Sequence, residues 1–168
     1  MVIEACGTAI SAVHRGDLKG CDAKLREAET GITRVRELSA KHAYASRLAV
    51  IRDALCEYVE ASCLRQVVET GKVPSYTEFK VEPDEYLLGL ADLVGELRRL
   101  CLDLVRGDQL GEAETVFKRM EEVFEFVMSF EYPKQSVKGL RHKVDVDRRL
   151  LDDTRLILTQ AHIANKGR

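Results

Sequence analysis

The chain has 168 residues, of which 45% are hydrophobic and 32% are charged. These proportions are ordinary for a soluble globular protein, and the length suits one domain over residues 1–168 with a proper core. The formal net charge of −2 at pH 7 excludes a globally basic protein, although a basic surface can still form locally. No apolar run approaches the roughly 20 residues that cross a membrane.

The first residues, MVIEACGTAISAVHRGD, carry an early acid and no basic segment, so they do not resemble a signal peptide. Five cysteines form an odd, scattered set without Cys-x-x-Cys or Cys/His metal spacing. Such a set indicates reduced thiols in the core of a cytoplasmic protein. We therefore expect a cytoplasmic protein that has no membrane segment. The cysteines are Cys6, Cys21, Cys56, Cys63 and Cys101.

Helix is expected throughout, because the chain has only three prolines and long runs of Ala, Leu, Glu, Arg and Val. The predicted fold class is all-α, a single-domain bundle of about six to seven helices. Pro83 suits the start of the fourth helix, in which Gly89, Ala91 and Gly95 would let a neighbouring backbone approach closely. Residues 161–168 are expected to form a frayed tail. The predicted helices cover residues 2–15, 17–38, 42–69, 83–105, 110–130 and 134–161.

The tripeptide Arg-Gly-Asp occurs twice between predicted helices, at residues 15–17 and 106–108. Glycine adopts the left-handed conformation that ends many helices, and aspartate is a favoured N-cap. The same connector chemistry is therefore expected at both places, with the glycine stopping one helix and the aspartate capping the next. Asp17 would cap the second helix and Asp108 the fifth.

Two acidic pairs lie inside strongly helical, mostly apolar stretches. Glu57 and Glu60 belong to the third predicted helix, and Asp92 and Glu96 to the fourth. Helical neighbours three or four residues apart project from the same face, so each helix presents a pair of carboxylates. A carboxylate among apolar neighbours is costly to desolvate unless it is paired, hydrogen-bonded or bound to a cation. On facing helices, the two pairs would make a four-carboxylate site for a divalent metal.

Ordinary salt bridges are the competing interpretation of these acids, with Arg52, Arg65, Arg98 and Arg99 as candidate partners. An oxygen-rich site without His or Cys suits hard cations such as Mg²⁺ or Mn²⁺. The Glu-x-x-His motifs of di-iron bundles do not occur, which counts against oxidase chemistry. A carboxylate-held Mg²⁺ most often serves phosphate esters, whereas neither a GxxxxGK[ST] loop nor a nucleophilic triad is evident.

Basic residues concentrate in two places, at the junction of the second and third helices and in the stretch KQSVKGLRHK. Each cluster is either a solvated helix face or a set of phosphate contacts. Phosphate contacts would bind nucleic acid without sequence preference and with strong salt sensitivity. The first cluster comprises Arg34, Arg36, Lys41, His42, Arg47 and Arg52, and the second Lys134, Lys138, Arg141, His142 and Lys143.

Three stretches resemble the translin family, on the side of translin-associated factor X (Trax). They are VEPDEYLLGLADLVGELRRLCLDLVRGD, EYVEA in the preceding helix and LRHKVDVDRRLLDD in the last helix. The resemblance covers the chain from about Ala12 to Ala161. It implies a translin-like α-α superhelix that assembles into a hollow barrel enclosing single-stranded RNA or DNA. In the Trax branch it also implies a Mg²⁺- or Mn²⁺-dependent endoribonuclease site that faces the interior.

The family's acidic motifs are both matched in this chain. Its EFVEA-like motif is matched by Glu57 and Glu60, and its ADLxGEL motif by Asp92 and Glu96. The resemblance therefore implies that these four residues are both the catalytic residues and the ligands of Mg²⁺ or Mn²⁺. A homo-oligomeric barrel, an octamer or a hexamer, is the expected assembly. The residues expected to bind nucleic acid are Lys41, His42, Arg47, Arg34 and Arg15.

The leading hypothesis is a metal-dependent endoribonuclease acting on single-stranded RNA or DNA, with a metal-activated water attacking the phosphodiester and one carboxylate acting as base. The alternative is a non-catalytic oligomer that binds single-stranded nucleic acid and whose acids are structural. A third interpretation is a helical scaffold that assembles by burying the apolar faces of its last helices.

Overall fold

The computed structural model describes residues 1–41, 49–130, 137 and 139–166, with the backbone alone at residues 39–41. Within those ranges the chain forms six α-helices and one 3₁₀ turn, and no strand. The all-α prediction is therefore confirmed. The helices are α1 (Val2–His14), α2 (Leu18–Lys41), α3 (Ala49–Thr70), α4 (Pro83–Arg106), α5 (Leu110–Ser129) and α6 (Leu140–Lys166), and the 3₁₀ turn is Tyr76–Glu78.

The helices cluster into two compact units, residues 1–89 and residues 90–168. In the first unit α1, α2 and α3 pack against one another, and in the second α5 packs against α6. Helix α4 contributes its first turns to one unit and its remainder to the other. The expectation of one domain over the whole chain stays a prediction. No helix in the described ranges has the length and apolar character needed to cross a bilayer.

All five cysteines are buried, free thiols. Burial raises the pKa of Cys21 to about 11, and it raises the pKa of Cys101 to about 11 as well. Thiols with so high a pKa are protonated at neutral pH and unreactive, since the thiolate is the reactive form. The prediction of reduced core thiols is confirmed.

The connector between α1 and α2 follows its prediction. Gly16 has a positive φ of 74°, a conformation that glycine adopts without steric cost. The Asp17 amide donates to the Ala12 carbonyl at 2.9 Å and so closes the end of α1. The Asp17 side chain accepts a hydrogen bond from the Gly20 amide at 2.9 Å, which caps the start of α2.

At the connector between α4 and α5 the predicted cap is wrong. Helix α4 extends one residue further into the tripeptide than α1 does, so the positive φ falls on Asp108, at 62°. Aspartate is among the few non-glycine residues that tolerate this conformation. The N-cap of α5 is Gln109, whose side chain makes no cap bond and donates to Glu112 at 3.0 Å.

The start of α6 lies later than predicted. Residues 134–136 and 138 are outside the described ranges, and Val137 forms a bend. Gly139 has a positive φ of 92°, which a right-handed helix does not contain. The helix therefore begins at Leu140.

The end of α6 also lies later than predicted. A frayed tail from residue 161 is wrong, because α6 continues to Lys166. Nε2 of His162 lies at hydrogen-bond distance, 2.8 Å, from Oε1 of Glu114 on α5, and Leu158 is buried one turn earlier. A polar contact and a buried leucine thus hold the end of the helix in place.

A short aromatic segment before α4 fixes where that helix begins. A capping box closes the 3₁₀ turn. The Tyr86 hydroxyl donates to the Pro74 carbonyl at 2.7 Å, and the Tyr86 ring centroid lies 5.7 Å from that of Phe79. Helix α4 then starts at Pro83, as the sequence indicated.

Helices α3 and α4 approach closely at Gly89. A Cβ atom added there would lie 2.7 Å from the Cys56 carbonyl oxygen and 2.8 Å from side-chain atoms of Val59, so the neighbours would have to shift. The predicted close approach is therefore confirmed at this position. At Gly95, by contrast, an added Cβ meets no atom within 4 Å.

We expect Gly89→Ala to lower the free energy of unfolding and Gly95→Ala to raise it. The first variant must push α3 away from α4, at a cost of about 1–3 kcal/mol. The second only removes the flexibility of a helix-interior glycine, a gain of about 0.5–1 kcal/mol. Urea unfolding followed by far-UV circular dichroism measures both changes. Equal changes in the two variants would contradict the close approach at Gly89.

Candidate functional site

The acids of α3 enter the apolar packing of the first unit. Glu60 is buried, with 7% of its surface exposed, and Glu57 is half-buried. Burial raises the pKa of the Cys6 thiol on α1 to about 12, and the nearby charges of Glu57 and Glu60 contribute to that rise. Burial, Glu78 and Glu60 raise the pKa of the Cys63 thiol in the same way. The two acids are thus embedded among buried groups, as the helix pattern indicated.

The acids of α4 have basic neighbours. Lys143 of α6 forms a hydrogen-bonded ion pair with Asp92, and each side chain is about one third exposed. Arg99 lies 3.8 Å from Glu96, a loose surface pair within one helix. The sequence did not suggest the partner of Asp92, because that lysine lies 51 residues further along the chain. Salt bridges therefore neutralise part of the negative charge that Asp92 and Glu96 place on α4.

Two arginines that the sequence suggested as partners bind other acids. Arg52 lies 3.0 Å from Asp84. Arg65 lies 2.8 Å from Asp22 and 3.0 Å from Glu69. These pairs tie the helices of the first unit together, and they give Arg52 and Arg65 a structural role.

A third acid in the second unit, Asp147 of α6, lies beside Asp92 and Lys143. It is only 5% exposed, and its Oδ2 atom has no hydrogen-bond partner within the described part of the chain. Its pKa rises from 3.8 to about 7, by burial first and by the charge of Asp92 second, against an opposing effect of Lys143. One ammonium group therefore faces two carboxylates.

Asp147 was not predicted as a site residue, although the sequence held a signal for it. The buried positions of α6 recur at the spacing of an apolar helix stripe. An acid at such a position is the same signal that marked Glu60. Here the basic residues on both sides of it masked the signal. The buried positions are Leu140, Asp147, Leu151, Thr154 and Leu158.

The structure describes two side chains of the five predicted to bind nucleic acid. Arg15 and Arg34 are both exposed. Arg15 lies at the end of α1, whereas Arg34 lies in the second half of α2, about 24 Å along that helix from its first residue. The two arginines therefore do not form one patch. The side chains of five other basic residues lie outside the described part of the chain: Lys41, His42, Arg47, Lys134 and Lys138.

The arrangement of the carboxylates limits how a divalent cation could bind. Among the described side chains, no group of three or more His, Cys, Asp or Glu could hold a metal ion. Mg²⁺ needs fewer, because it keeps several waters and takes one or two carboxylates together with substrate phosphates. The unpartnered Oδ2 of Asp147 beside Asp92 fits that chemistry. A single site built from all four predicted acids stays a prediction.

The all-helical fold is similar to that of solved C3PO structures. The chain matches the crystal structure of AfC3PO with a TM-score of 0.85 and 29% identity, covering 97% of this chain and 85% of that one. It matches AfC3PO in complex with duplex RNA with a TM-score of 0.85 and 27% identity, covering 99% and 86%. Apo-NeC3PO shares the fold, with a TM-score of 0.81 and 21% identity over 95% and 83% of the two chains.

The chain belongs to the Translin family, whose model matches residues 10–152. The predicted family is thereby confirmed. An uncharacterized protein of Methanocaldococcus jannaschii is 35% identical over 151 residues, which cover 89% of this chain and 66% of that protein. The chain thus spans slightly less than two thirds of the length of this relative.

We expect Asp147→Asn to remove part of the pH dependence of stability. In the folded chain Asp147 keeps its proton up to a pKa of about 7, whereas the unfolded value is 3.8. Its contribution to stability is complete below pH 3.8 and is lost as the pH rises through 7. The free energy of unfolding of the variant, relative to the wild type, should therefore rise across that window, by up to about 4 kcal/mol.

Urea unfolding in EDTA between pH 4 and pH 8.5 measures this difference. Asp145→Asn is the matched control, because Asp145 is exposed on the same helix. The control should follow the wild type at every pH. A constant offset between Asp147→Asn and the wild type would contradict the raised pKa of Asp147.

Proposed function

We propose that the chain is a Trax-like subunit that binds and cleaves single-stranded RNA or DNA with Mg²⁺ or Mn²⁺. The acidic pairs on α3 and α4 carry the proposal, because carboxylates at helical spacing supply the oxygen ligands that Mg²⁺ and Mn²⁺ prefer. Membership of the Translin family and the similarity to AfC3PO, one structure of which contains duplex RNA, support a nucleic acid as the ligand.

The positions of the acids along their helices support the same function. Asp92 and Glu96 lie one turn apart on α4 and so share one face of that helix. Asp92 and Glu96 are partly exposed, so solvent and substrate reach them. With Glu57 and Glu60 they are the proposed ligands and catalytic residues.

The chemistry divides between the cation and the side chains. When bound, Mg²⁺ or Mn²⁺ would activate water and stabilise the charge that develops on the phosphoryl oxygens. The carboxylates of this chain would hold and orient the cation, and one of them would accept the proton of the attacking water. The exposed Arg15 and Arg34 would contribute phosphate contacts that carry no sequence preference.

A non-catalytic nucleic-acid-binding subunit is the second candidate. The ion pair between Lys143 and Asp92 favours it, since a lysine already neutralises one of the four acids. In that case the acids would be structural, and the chain would bind RNA with equal affinity in EDTA and in Mn²⁺. The cleavage assay described below distinguishes the two candidates.

A homo-oligomer, an octameric or hexameric barrel, is the proposed assembly. Large apolar side chains are exposed on the last two helices, although an exposed surface of this kind is costly in a monomer. Leu156 is 57% exposed and Ile163 is 67% exposed, and the spacing of seven residues puts them on one face of α6. Phe126 and Phe130 form an exposed aromatic pair at the end of α5. A second copy of the chain is the proposed cover for these faces.

We expect Glu60→Gln and Asp92→Asn each to abolish RNA cleavage, by roughly a hundredfold or more, because each removes a ligand charge from the cation site. The assay follows end-labelled single-stranded and duplex RNA with Mg²⁺, Mn²⁺ or EDTA. RNA affinity in EDTA should change by less than about twofold, since neither variant removes a positive charge.

Asp53→Asn on α3 and Asp103→Asn on α4 are the matched controls, because both residues are exposed on the same helices. They should cleave like the wild type. Undiminished cleavage by Glu60→Gln and Asp92→Asn would remove the nuclease site from these residues. A wild-type chain that binds RNA and cleaves it with neither metal would establish the non-catalytic candidate.

We expect the double variant Leu156→Glu/Ile163→Glu to dissociate the assembly. Burying two carboxylates between subunits without partners costs several kcal/mol, which exceeds what a small apolar contact contributes. Light scattering after size-exclusion chromatography measures the mass, and Asn165→Glu, exposed on the opposite side of α6, is the control. An unchanged mass in the double variant would show that this face of α6 is not an interface.

A further inference from the structure

Glu60, Glu85 and Asp147 are buried in the described part of the chain, and among their carboxylate oxygens Oδ2 of Asp147 is a buried atom without a hydrogen-bond partner there. Glu85 is 8% exposed, but its carboxylate accepts the Glu82 amide at 2.8 Å in the first turn of α4. Such a bond satisfies a helix N-terminus and justifies the burial. Asp147 is 5% exposed, and its buried Oδ2 has no hydrogen-bond partner in the described ranges.

The groups around Asp147 point to a positively charged ligand. Asp92 of α4 and Lys143 of α6 are the charged side chains that act on it. The ammonium group of Lys143 forms a hydrogen-bonded ion pair with Asp92. Two carboxyl groups thus lie near one ammonium group, and the buried Oδ2 of Asp147 has no hydrogen-bond partner in the described ranges.

We propose that Asp147 binds a hydrated divalent cation, Mg²⁺ or Mn²⁺, jointly with Asp92, and that Lys143 is a competing cation at the same pair. This rests on the proposed function, in which Asp92 is a cation ligand, and it adds a ligand from α6. Two carboxylates are the usual protein share of a Mg²⁺ site, with waters and substrate phosphates completing the octahedron. Oxygen ligands alone also suit Mn²⁺.

The competing role of Lys143 follows from its position. Its ammonium occupies Oδ1 of Asp92, an oxygen that the cation would also use. Removing the ammonium leaves two neighbouring carboxylates without a counter-charge, which strengthens the attraction for a divalent cation. Removing the charge of Asp147 leaves a neutral pair of Lys143 and Asp92, which has little attraction for one.

The experiment measures Mn²⁺ binding to the full chain without RNA, by electron paramagnetic resonance of free Mn²⁺. We expect Asp147→Asn to weaken binding about tenfold or more, and Lys143→Met to tighten it by a similar factor. Asp145→Asn, on the exposed side of the same helix, should bind like the wild type. The Asn and Met side chains keep the volumes of those they replace, and circular dichroism confirms that each variant is folded.

Wild-type affinity in Asp147→Asn would overturn the role of Asp147, and unchanged or weaker affinity in Lys143→Met would overturn the competition. Because Lys143→Met tests the site independently, it decides the matter even if Asp147→Asn does not fold. Failure here is separate from failure of the proposed function. If Asp147→Asn keeps full Mn²⁺ affinity while Asp92→Asn abolishes cleavage, only this inference falls. If Glu60→Gln and Asp92→Asn cleave like the wild type, the nuclease proposal falls, whatever Asp147 binds.

Discussion

The cost of burying carboxylates in apolar helices is the constraint on which the interpretation of this protein depends. Asp147 is 5% exposed, although an ionised carboxylate loses several kcal/mol of hydration on burial. Glu85 is buried to a similar degree, but a backbone amide satisfies it. Glu85 therefore stabilises the start of its helix, whereas the buried Oδ2 of Asp147 has no hydrogen-bond partner in the described part of the chain. Buried acids without such a partner are characteristic of functional sites.

The placement of the start of α4 bears on the same constraint, because Glu85 is buried in its first turn. The aromatic segment before it fixes the start of the helix at Pro83, and the close approach at Gly89 fixes which face meets α3. Each residue of an α-helix turns by about 100°, so these two points fix the direction of the side chains in the first turns of α4. The placement of those turns is therefore set by residues that carry no charge.

Helix content, the acidic pairs and the family were predictable because they rest on local patterns and motifs. The wrong predictions include the helix cap at Asp108 and the frayed tail after residue 161. Asp17 caps a helix, whereas Asp108, in the same tripeptide, takes a positive φ because its helix ends one residue later. The tail after residue 161 was expected to fray, since the contact of His162 with Glu114 cannot be seen in local sequence. Asp147 escaped prediction because the basic residues around it in the sequence masked its place in the buried stripe of α6.

Lys143 determines what a cation would do to the electrostatics of the second unit. Above the pKa of Asp147, about 7, the lysine and the two carboxylates of Asp92 and Asp147 together carry a net negative charge, which repels a phosphodiester. A divalent cation on the same pair would reverse that sign and also free the ammonium of Lys143. The field around the acids would then attract a nucleic acid backbone. Cation binding and RNA binding would thus strengthen each other by the same factor, because linkage between two ligands is reciprocal.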